Sequence, residues 1–474
     1  MNPRTNNRRW WVLTFALLGN MSVFSAVTMM NTAVPSIQTD LGMSDDTRQW
    51  IVTLFSLVFG ASILVGGRIA DAIGLKLTLV IGLVGFAAAS LFGGVANSIG
   101  MLLGARALQG ATGALVAASA MSIISVQFPD GKDRQRAFAT LGVVMGAGAA
   151  VPFLLSGFLL DVADWRWCFY VTAPLTLIAA SGILASAPKD QRDYENTVPV
   201  FQAILLTIAV GLLAFGLDAG NRLGWTDPVT IASLIAAVVL GFLFLSISAR
   251  ASVQLIPFEL VTNVRRSIAF ISVFALGFGM FAGMWILTAY MQGSLGYSAM
   301  EIGFAFIPFA VTAVISSLLS PRYMSRQGGN TLPIAVGLAM TAVALATFGW
   351  LTPNSSYVAG ILPAMLLIGA GANLVMVGGS EAATRGAGSL SGTAGSVVNG
   401  AQQIGAAIGT AVLTSVALAT ERGSSRAEAA ALVDGYNAAG IVGAAILGVV
   451  SVGLVASHMR AGARSGSALH APGD

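Results

Sequence analysis

The sequence predicts an all-α integral membrane protein, and three features of the chain carry that prediction. Of 474 residues, 56% are hydrophobic and only 9% are charged, whereas a soluble domain carries about 25% charged residues. The charges are clustered, so that Gln49–Gly67 and Leu77–Ala105, among other stretches, contain none. The connections between these stretches are short and leave no room for a soluble catalytic domain. A water-soluble fold is therefore excluded.

The uncharged stretches predict fourteen transmembrane helices, because about 20 apolar residues cross a bilayer as a helix. Two stretches are too long for one span and are divided at Asn97-Ser98 and at Pro353-Asn354-Ser355. The predicted spans are 11–33, 48–67, 77–96, 99–126, 137–160, 167–187, 198–218, 228–249, 267–291, 301–320, 331–351, 356–379, 394–418 and 437–457.

The basic residues predict the orientation of these helices. The chain has 24 Lys and Arg against 20 Asp and Glu. If the N-terminus is cytoplasmic, most of the Lys and Arg fall in inner segments, as the positive-inside rule requires. We therefore expect a multi-pass protein of the cytoplasmic membrane with both termini inside. The same bias explains the excess of Lys and Arg over Asp and Glu, so this excess does not indicate a nucleic-acid partner.

Several chemistries are not expected from this composition. A single cysteine, Cys168, excludes an internal disulfide, and the two histidines, His458 and His470, lie near the C-terminus. Neither a metal site nor a cofactor is predicted, and no glycine-lysine phosphate-binding loop suggests an ATP-driven pump. We do not expect an enzyme.

The long inner connections divide the chain into three parts. They lie near 188–197 and 250–266 and bracket helices seven and eight, which leaves six helices on either side. A weak repeat supports this division, since Arg68–Gly74 after helix two resembles Arg322–Gly328 after helix ten. The predicted units are a six-helix bundle over 1–188, two extra helices with linkers over 189–262, and a second bundle over 263–474. Parallel repeats of this kind place a substrate cavity between the halves.

A glycine-bracketed inner loop follows helix two, between Gly67 and Lys76. Gly67 and Gly74 permit a tight turn between closely packed helices. Asp71, near basic residues, is a candidate latch that closes the inner side in one state. The alternative is an ordinary charged loop that anchors topology.

Helix four carries an arginine, Arg106, with Gln109 one turn away. A buried arginine is costly in lipid and must face a cavity or a partner, so it is a functional candidate. The alternative is a structural arginine that bonds neighbouring helices and never meets substrate or proton.

Helix five combines several glycines with Pro152, and Arg134 precedes its span. Small residues let helices approach closely, and proline bends a helix. Packing and a conformational hinge are both compatible with this pattern. We assign Pro152 and Arg134 to the candidate gating set.

In this order the three motifs resemble the major facilitator superfamily, and the match is closer to its fourteen-helix drug:proton antiporter family. Further similar segments are Trp165-Arg166-Trp167-Cys168-Phe169, Gln292–Pro308, Ser391-Gly392, Asn399, Gln402-Gln403-Ile404-Gly405 and Gly409. The resemblance implies a major facilitator fold, two six-helix bundles plus two inserted helices. It also implies export by alternating access, driven by proton uptake.

The chain departs from the family at positions that bear on charge. Ala26 stands where the family has an aspartate in helix one, and helix thirteen offers Asn399 and Gln403 instead of carboxylates. Among the remaining acids, Glu301 is placed best to face the cavity and exchange a proton with the outside. A solvated carboxylate at a helix end is the alternative for Glu301.

Polar and soft side chains on the helices expected to surround the cavity are the candidate substrate contacts. Methionine and aromatic surfaces adapt to varied apolar ligands, although such stripes also serve core packing. The candidates are Asn20, Ser25, Thr28, Asn31, Met284, Trp285, Tyr290, Asn399 and Gln403.

The sequence therefore predicts an exporter of lipophilic small molecules, with protons and membrane lipids as partners and a monomeric state. One alternative is a dedicated transporter of a single lipid or metabolite, not necessarily proton-coupled, which the missing carboxylates favour. Another is a non-transporting receptor or scaffold. Without a cavity carboxylate, small quaternary ammonium compounds should be poor substrates.

Overall fold

The computed structural model describes residues 3–43, 50–129, 131–188, 199–251, 253–326, 330–387, 390–424 and 427–468. Within these ranges the regular structure is entirely helical. The long helices are α1 Pro3–Leu41, α2 Trp50–Ile73, α3 Leu75–Gly94, α4 Ile99–Gln127, α5 Gly131–Val162, α6 Thr172–Ser186, α7 Val200–Arg222, α8 Pro228–Arg250, α9 Val264–Gly293, α10 Ile307–Arg326, α11 Thr331–Ala346, α12 Leu362–Thr384, α13 Ser391–Gly423 and α14 Glu428–Ala468. Short helices at Arg166–Tyr170 and Ala299–Ala305 precede α6 and α10, Phe258–Thr262 precedes α9, and single turns at Thr347–Trp350 and Tyr357–Ile361 separate α11 from α12.

Local chemistry explains several helix boundaries. Ser98 caps α4 by accepting a hydrogen bond from the Met101 N–H at 3.4 Å, and Asp227 caps α8 by accepting one from the Val229 N–H at 2.8 Å. Gly74 alone separates α2 from α3, with a φ of 101° that glycine adopts without strain. The break predicted at Asn97-Ser98 thus coincides with a capped helix start.

Each half is held by close helix contacts at glycine. In the first half α2 and α4 pack together, and a Cβ on Gly110 would lie 2.7 Å from the Phe55 carbonyl oxygen. In the second half α9 and α13 pack together, and a Cβ on Gly277 or Gly405 would fall onto the facing backbone. Small residues are what allow such backbone approach between membrane helices.

The two halves meet mainly where α5 packs on α10 and where α2 and α4 pack on α13, and α5 also contacts α12. The helices α7 and α8 pack against each other, and α7 also contacts α2 and α13. Trp50 of α2 stacks on Phe215 of α7 at 5.8 Å, and Ser415 of α13 donates to Asn221 Oδ1 at 2.6 Å. Helix α7 therefore touches both halves, while α8 exposes an apolar face that includes Val238 and Phe242.

Within the described residues, twelve helical segments are long and apolar enough to cross a membrane. Helices α2 and α5 are not among these twelve. All fourteen predicted spans overlap one of the long helices, but the count of fourteen membrane crossings stays a prediction.

Candidate functional site

A cavity lies between the two halves and is lined by residues of six helices, α1, α5, α9, α10, α12 and α13. It encloses about 1000 Å³ of atom-free space, its open side included. The lining residues are Met21, Phe24, Thr28, Leu141, Gly142, Val144, Gly148, Leu276, Met280, Phe281, Met284, Phe309, Ala313, Gly369, Ala372, Asn373, Met376, Val377 and Gln402.

The lining is apolar and uncharged. Four methionines and three phenylalanines contribute to it, and its polar side chains are Thr28, Asn373 and Gln402. None of the described lining residues is charged. Flexible methionine side chains can repack around ligands of different shape. An unpaired permanent charge would be costly here, because no carboxylate in this lining could balance it.

Two of the predicted cavity residues, Thr28 and Met284, lie in this lining. Trp285, next to Met284, is instead 43% exposed on the outer face of α9. Tyr290 is fully buried and donates to the Thr352 carbonyl at 2.6 Å. Successive residues of a helix point about 100° apart, so Trp285 faces outward although the preceding residue, Met284, lines the cavity.

The other predicted cavity residues lie off this lining. Asn20 and Ser25 are buried in α1, and Asn399 is buried and donates to the Gly395 carbonyl at 3.2 Å. Gln403 lies beside Gly60 of α2, and it is the preceding residue, Gln402, that reaches the cavity. The side chain of Asn31 lies outside the described part of the structure.

Asn373 of α12 is the lining residue that links the cavity to the opposite half. Its Nδ2 donates to the Gly142 carbonyl of α5 at 3.0 Å and to the Ala313 carbonyl of α10 at 2.7 Å. Asn373 is 6% exposed, and its Oδ1 accepts no hydrogen bond from any described group. Asn373 is not among the cavity residues predicted from the sequence, although an amide within an uncharged span is a detectable signal.

Among the described residues, three hydrogen bonds that join α5 to the second half form what we call the inner seam. They are the Asn373–Gly142 bond, a bond from Ser317 Oγ of α10 to the Ala139 carbonyl, and a bond from Arg134 Nη2 to Thr384 Oγ1 of α12 at 2.8 Å. The seam extends from the cavity toward the end of α5 that is predicted to face the cytoplasm.

Arg134, a predicted gating residue, thus lies in a contact between the halves. Its Nη1 also donates to the Phe128 carbonyl at 3.1 Å, and its guanidinium lies 4.9 Å from the Phe138 ring centroid. Pro152, also assigned to gating, is buried within α5, which continues through it.

Arg106 is fully buried in the first half and does not line the cavity. Its Nε donates to the Ile51 carbonyl at 2.7 Å and its Nη1 to Gln109 Oε1 at 2.8 Å, while Gln109 donates to Ser90 Oγ at 2.8 Å. The guanidinium lies 4.4 Å from the Phe55 ring centroid, and no carboxylate contacts it in the described part of the chain. Arg106 and Gln109 therefore tie α4 to α2 and α3.

The loop motif is anchored to its surroundings through its basic residues. Lys76 Nζ donates to the Leu184 and Ala187 carbonyls, each at 2.8 Å. Arg68 Nε donates to the Leu255 carbonyl, in the segment that follows α8, at 2.9 Å. Gly67 is buried, and the side chain of Asp71 lies outside the described part of the structure.

The structure corrects the placement of Glu301. This residue is the third of the short helix Ala299–Ala305, where its carboxylate accepts hydrogen bonds from the N–H of the N-cap Ser298 at 2.8 Å and from the Ser298 hydroxyl at 2.9 Å. Glu301 is exposed and is not among the lining residues. The carboxylate stabilises a helix start and does not face the cavity.

Comparisons with known proteins agree with this architecture. The sequence model of the Major Facilitator Superfamily matches residues 16–410. The puromycin resistance protein pur8 of Streptomyces alboniger is 39% identical over 414 residues, which cover 86% of this chain and 82% of that protein. The lincomycin resistance protein of Streptomyces lincolnensis is 30% identical over 427 residues, covering 88% and 86%. The tetracenomycin C resistance and export protein of Streptomyces glaucescens is 30% identical over 409 residues, covering 86% and 75%.

The fold is also similar to a solved structure. The crystal structure of the human organic anion transporter MFSD10 superposes with a TM-score of 0.64 and covers 96% of this chain and 100% of that one. The sequence identity is 16%, so this likeness concerns the fold alone.

Proposed function

Because this chain belongs to the Major Facilitator Superfamily, we propose that it is a secondary active exporter of lipophilic small molecules that works by alternating access. The observation that supports this proposal is the uncharged cavity of methionine and phenylalanine side chains between the two halves. A cavity closed on one side by hydrogen bonds between the halves suits a cycle in which the halves separate on each side in turn.

The substrate class follows from the cavity and the relatives together. The relatives carry names that refer to resistance to puromycin and lincomycin and to resistance to and export of tetracenomycin C. We propose that this chain likewise exports small organic antibacterial compounds. Neutral or weakly charged lipophiles should be preferred to permanent cations, since the described lining offers no carboxylate.

The membrane arrangement is proposed in the form that the sequence predicts. We propose fourteen spans, in which α7 and α8 form an inserted pair between bundles over 1–188 and 263–474. An even number of spans puts both termini on the same side, and the positive-inside rule assigns that side to the cytoplasm. The contacts of α7 with both α2 and α13 support an inserted pair, over 189–262, that belongs to neither bundle alone. The resemblance to drug:proton antiporters supports this arrangement too.

Proton uptake as the driving force is part of the proposal. Glu301 does not suit this role, because it is exposed and caps a helix. Among the described side chains, Glu381 is the buried carboxylate, 4% exposed at the inner end of α12, where Arg385 and Asn330 bind its two oxygens.

A second candidate function is a dedicated transporter of one lipid or metabolite. It is favoured by Ala26, which stands where the drug:proton antiporters have an aspartate, and by the lack of carboxylates in the described lining.

The experiment that tests the proposal is export from proteoliposomes with an imposed proton gradient. The screened compounds should include puromycin, lincomycin and tetracenomycin C, with protein-free liposomes and an uncoupler as controls. We expect saturable export of several lipophiles that stops when the gradient is collapsed. Export of one compound only would favour the dedicated transporter, and export of none would contradict the proposal.

A further inference from the structure

Asn373 combines two properties that no other described residue of the cavity shares. It lines the cavity, and it donates a hydrogen bond across to the opposite half at Gly142. We propose that Asn373 recognises a hydrogen-bond donor on the substrate, and that this contact stabilises the state in which the inner seam is open, the state in which an exporter binds its substrate. The inference deepens the proposed function and rests on it.

The hydrogen bonds of the amide define what it can still bind. Both Nδ2 hydrogens are used, one by the Gly142 carbonyl at 3.0 Å and one by the Ala313 carbonyl at 2.7 Å. Oδ1 is buried and accepts nothing from the described groups. A carboxamide oxygen can only accept, so the complementary ligand group is an O–H or N–H.

The position of Oδ1 couples recognition to movement. A Cβ built on Gly142 would lie 2.5 Å from this oxygen, so Oδ1 faces the backbone of α5 directly. A substrate donor therefore reaches Oδ1 only when α5 moves away from α12 at this point. That movement weakens the Asn373–Gly142 bond and, next to it, the bond from Ser317 to the Ala139 carbonyl.

The surrounding lining restricts the substrate further. Next to Asn373 stand Ala372, Met376 and Val377 on the same helix, with Leu276 and Met280 of α9 among the other lining residues. The substrate class is thus a lipophile that carries at least one hydrogen-bond donor. An apolar molecule of equal size without a donor should enter the cavity and leave the seam closed.

The test compares a naphthol with the corresponding methoxynaphthalene, which has the same ring system but no donor. Affinities are measured on the purified full chain, and a neutral hydrogen bond predicts a preference for the naphthol of about two- to tenfold. Asn373→Leu and Asn373→Met should reduce this ratio to about one, since neither offers an acceptor. The matched control is Ser316→Ala, which removes a bond from Ser316 Oγ to the Ala370 carbonyl at 2.8 Å within the second half and should keep the ratio.

A second measurement follows the seam itself. Ala139 is replaced by cysteine in a Cys168→Ala background, and labelling by an impermeant thiol reagent is compared with each ligand bound. The naphthol should raise the labelling rate severalfold and methoxynaphthalene should not, and Asn373→Leu should abolish the difference. An unchanged affinity ratio in both Asn373 variants would overturn the inference. Export failure in proteoliposomes would contradict the proposed function while leaving the binding ratio as an independent readout.

Discussion

The inner seam predicts a large effect for a very small substitution, Gly142→Ala. The added Cβ would fall onto Ser317 Oγ and lie 2.5 Å from Asn373 Oδ1 and 3.0 Å from Ser317 Cβ. Neither neighbour can turn away freely, because Ser317 donates to the Ala139 carbonyl and Asn373 donates to two carbonyls. Helix α5 must therefore withdraw from α10 and α12 at this level.

The size of the effect follows from packing and hydrogen bonding. Overpacking a dense contact costs about 1–3 kcal/mol, and each hydrogen bond lost adds about 0.5–1.5 kcal/mol. The overpacking cost alone, about 1–3 kcal/mol in the closed state, shifts its population relative to the open state by about five- to 150-fold, and each hydrogen bond lost increases this shift. We expect Gly142→Ala to favour the state that is open on the inner side and to slow export, which requires both states.

The assay is labelling of a cysteine at position 139 from the inner side, together with the export rate. The matched control is Gly148→Ala on the same helix and in the same lining, where the nearest atom to an added Cβ is Met21 Cγ at 3.9 Å. Gly148→Ala should behave like the unmodified chain. Equal labelling and equal export rates for the two variants would refute the reasoning.

Three further predictions concern charge. Arg106→Ala and Arg106→Lys should both lower the export rate at least about tenfold while the protein still inserts into the membrane. Neither variant can donate to both the Ile51 carbonyl and Gln109 as the guanidinium does. Full activity of the alanine variant would contradict this. Asp71→Asn should slow export and leave ligand affinity within about twofold, since the residue lies in the last turn of α2, next to the turn at Gly74 and away from the cavity lining. A large loss of affinity at normal turnover would contradict this. Thr28→Asp should shift the substrate preference toward quaternary ammonium compounds, because Thr28 lines the cavity. Ala26→Asp should not, because Ala26 is buried in the core. The export rates of a quaternary ammonium compound by the two variants test this, and equal rates would contradict it.

The spacing of charges was sufficient to locate the helices. The predicted break at Asn97-Ser98 coincides with the start of α4 at a serine cap. The loop predicted between Gly67 and Lys76 is much shorter in the structure, because α2 continues to Ile73 and Gly74 alone forms the turn. These boundaries are local, since a cap or a turn involves residues a few positions apart. Such local interactions can be predicted from the sequence.

The cavity was much less predictable, because its residues come from six helices whose rotations depend on their neighbours. Thr28 and Met284 were identified, whereas Gln402 lines the cavity where Gln403 was predicted. Gly142 is one of several glycines in predicted helix five, and the pattern of that helix alone does not distinguish it from the others, because its contact with Ser317 involves a helix of the other half. No pattern along one helix reports which of its faces a distant helix will cover.

The described buried charges lie outside the cavity, and this separates substrate binding from charge chemistry. Arg106 is held within the first half, whereas Arg134 and Glu381 lie toward the inner end near the seam. Thr384, which accepts the bond from Arg134, is one turn from Glu381 on α12, and Asn373 lies further along the same helix. Thr384, Glu381 and Asn373 therefore share one helix, so a movement of α12 displaces both ends of the seam together. If export is coupled to protons as proposed, the proton and the substrate need no shared site, since both can act on the same helix.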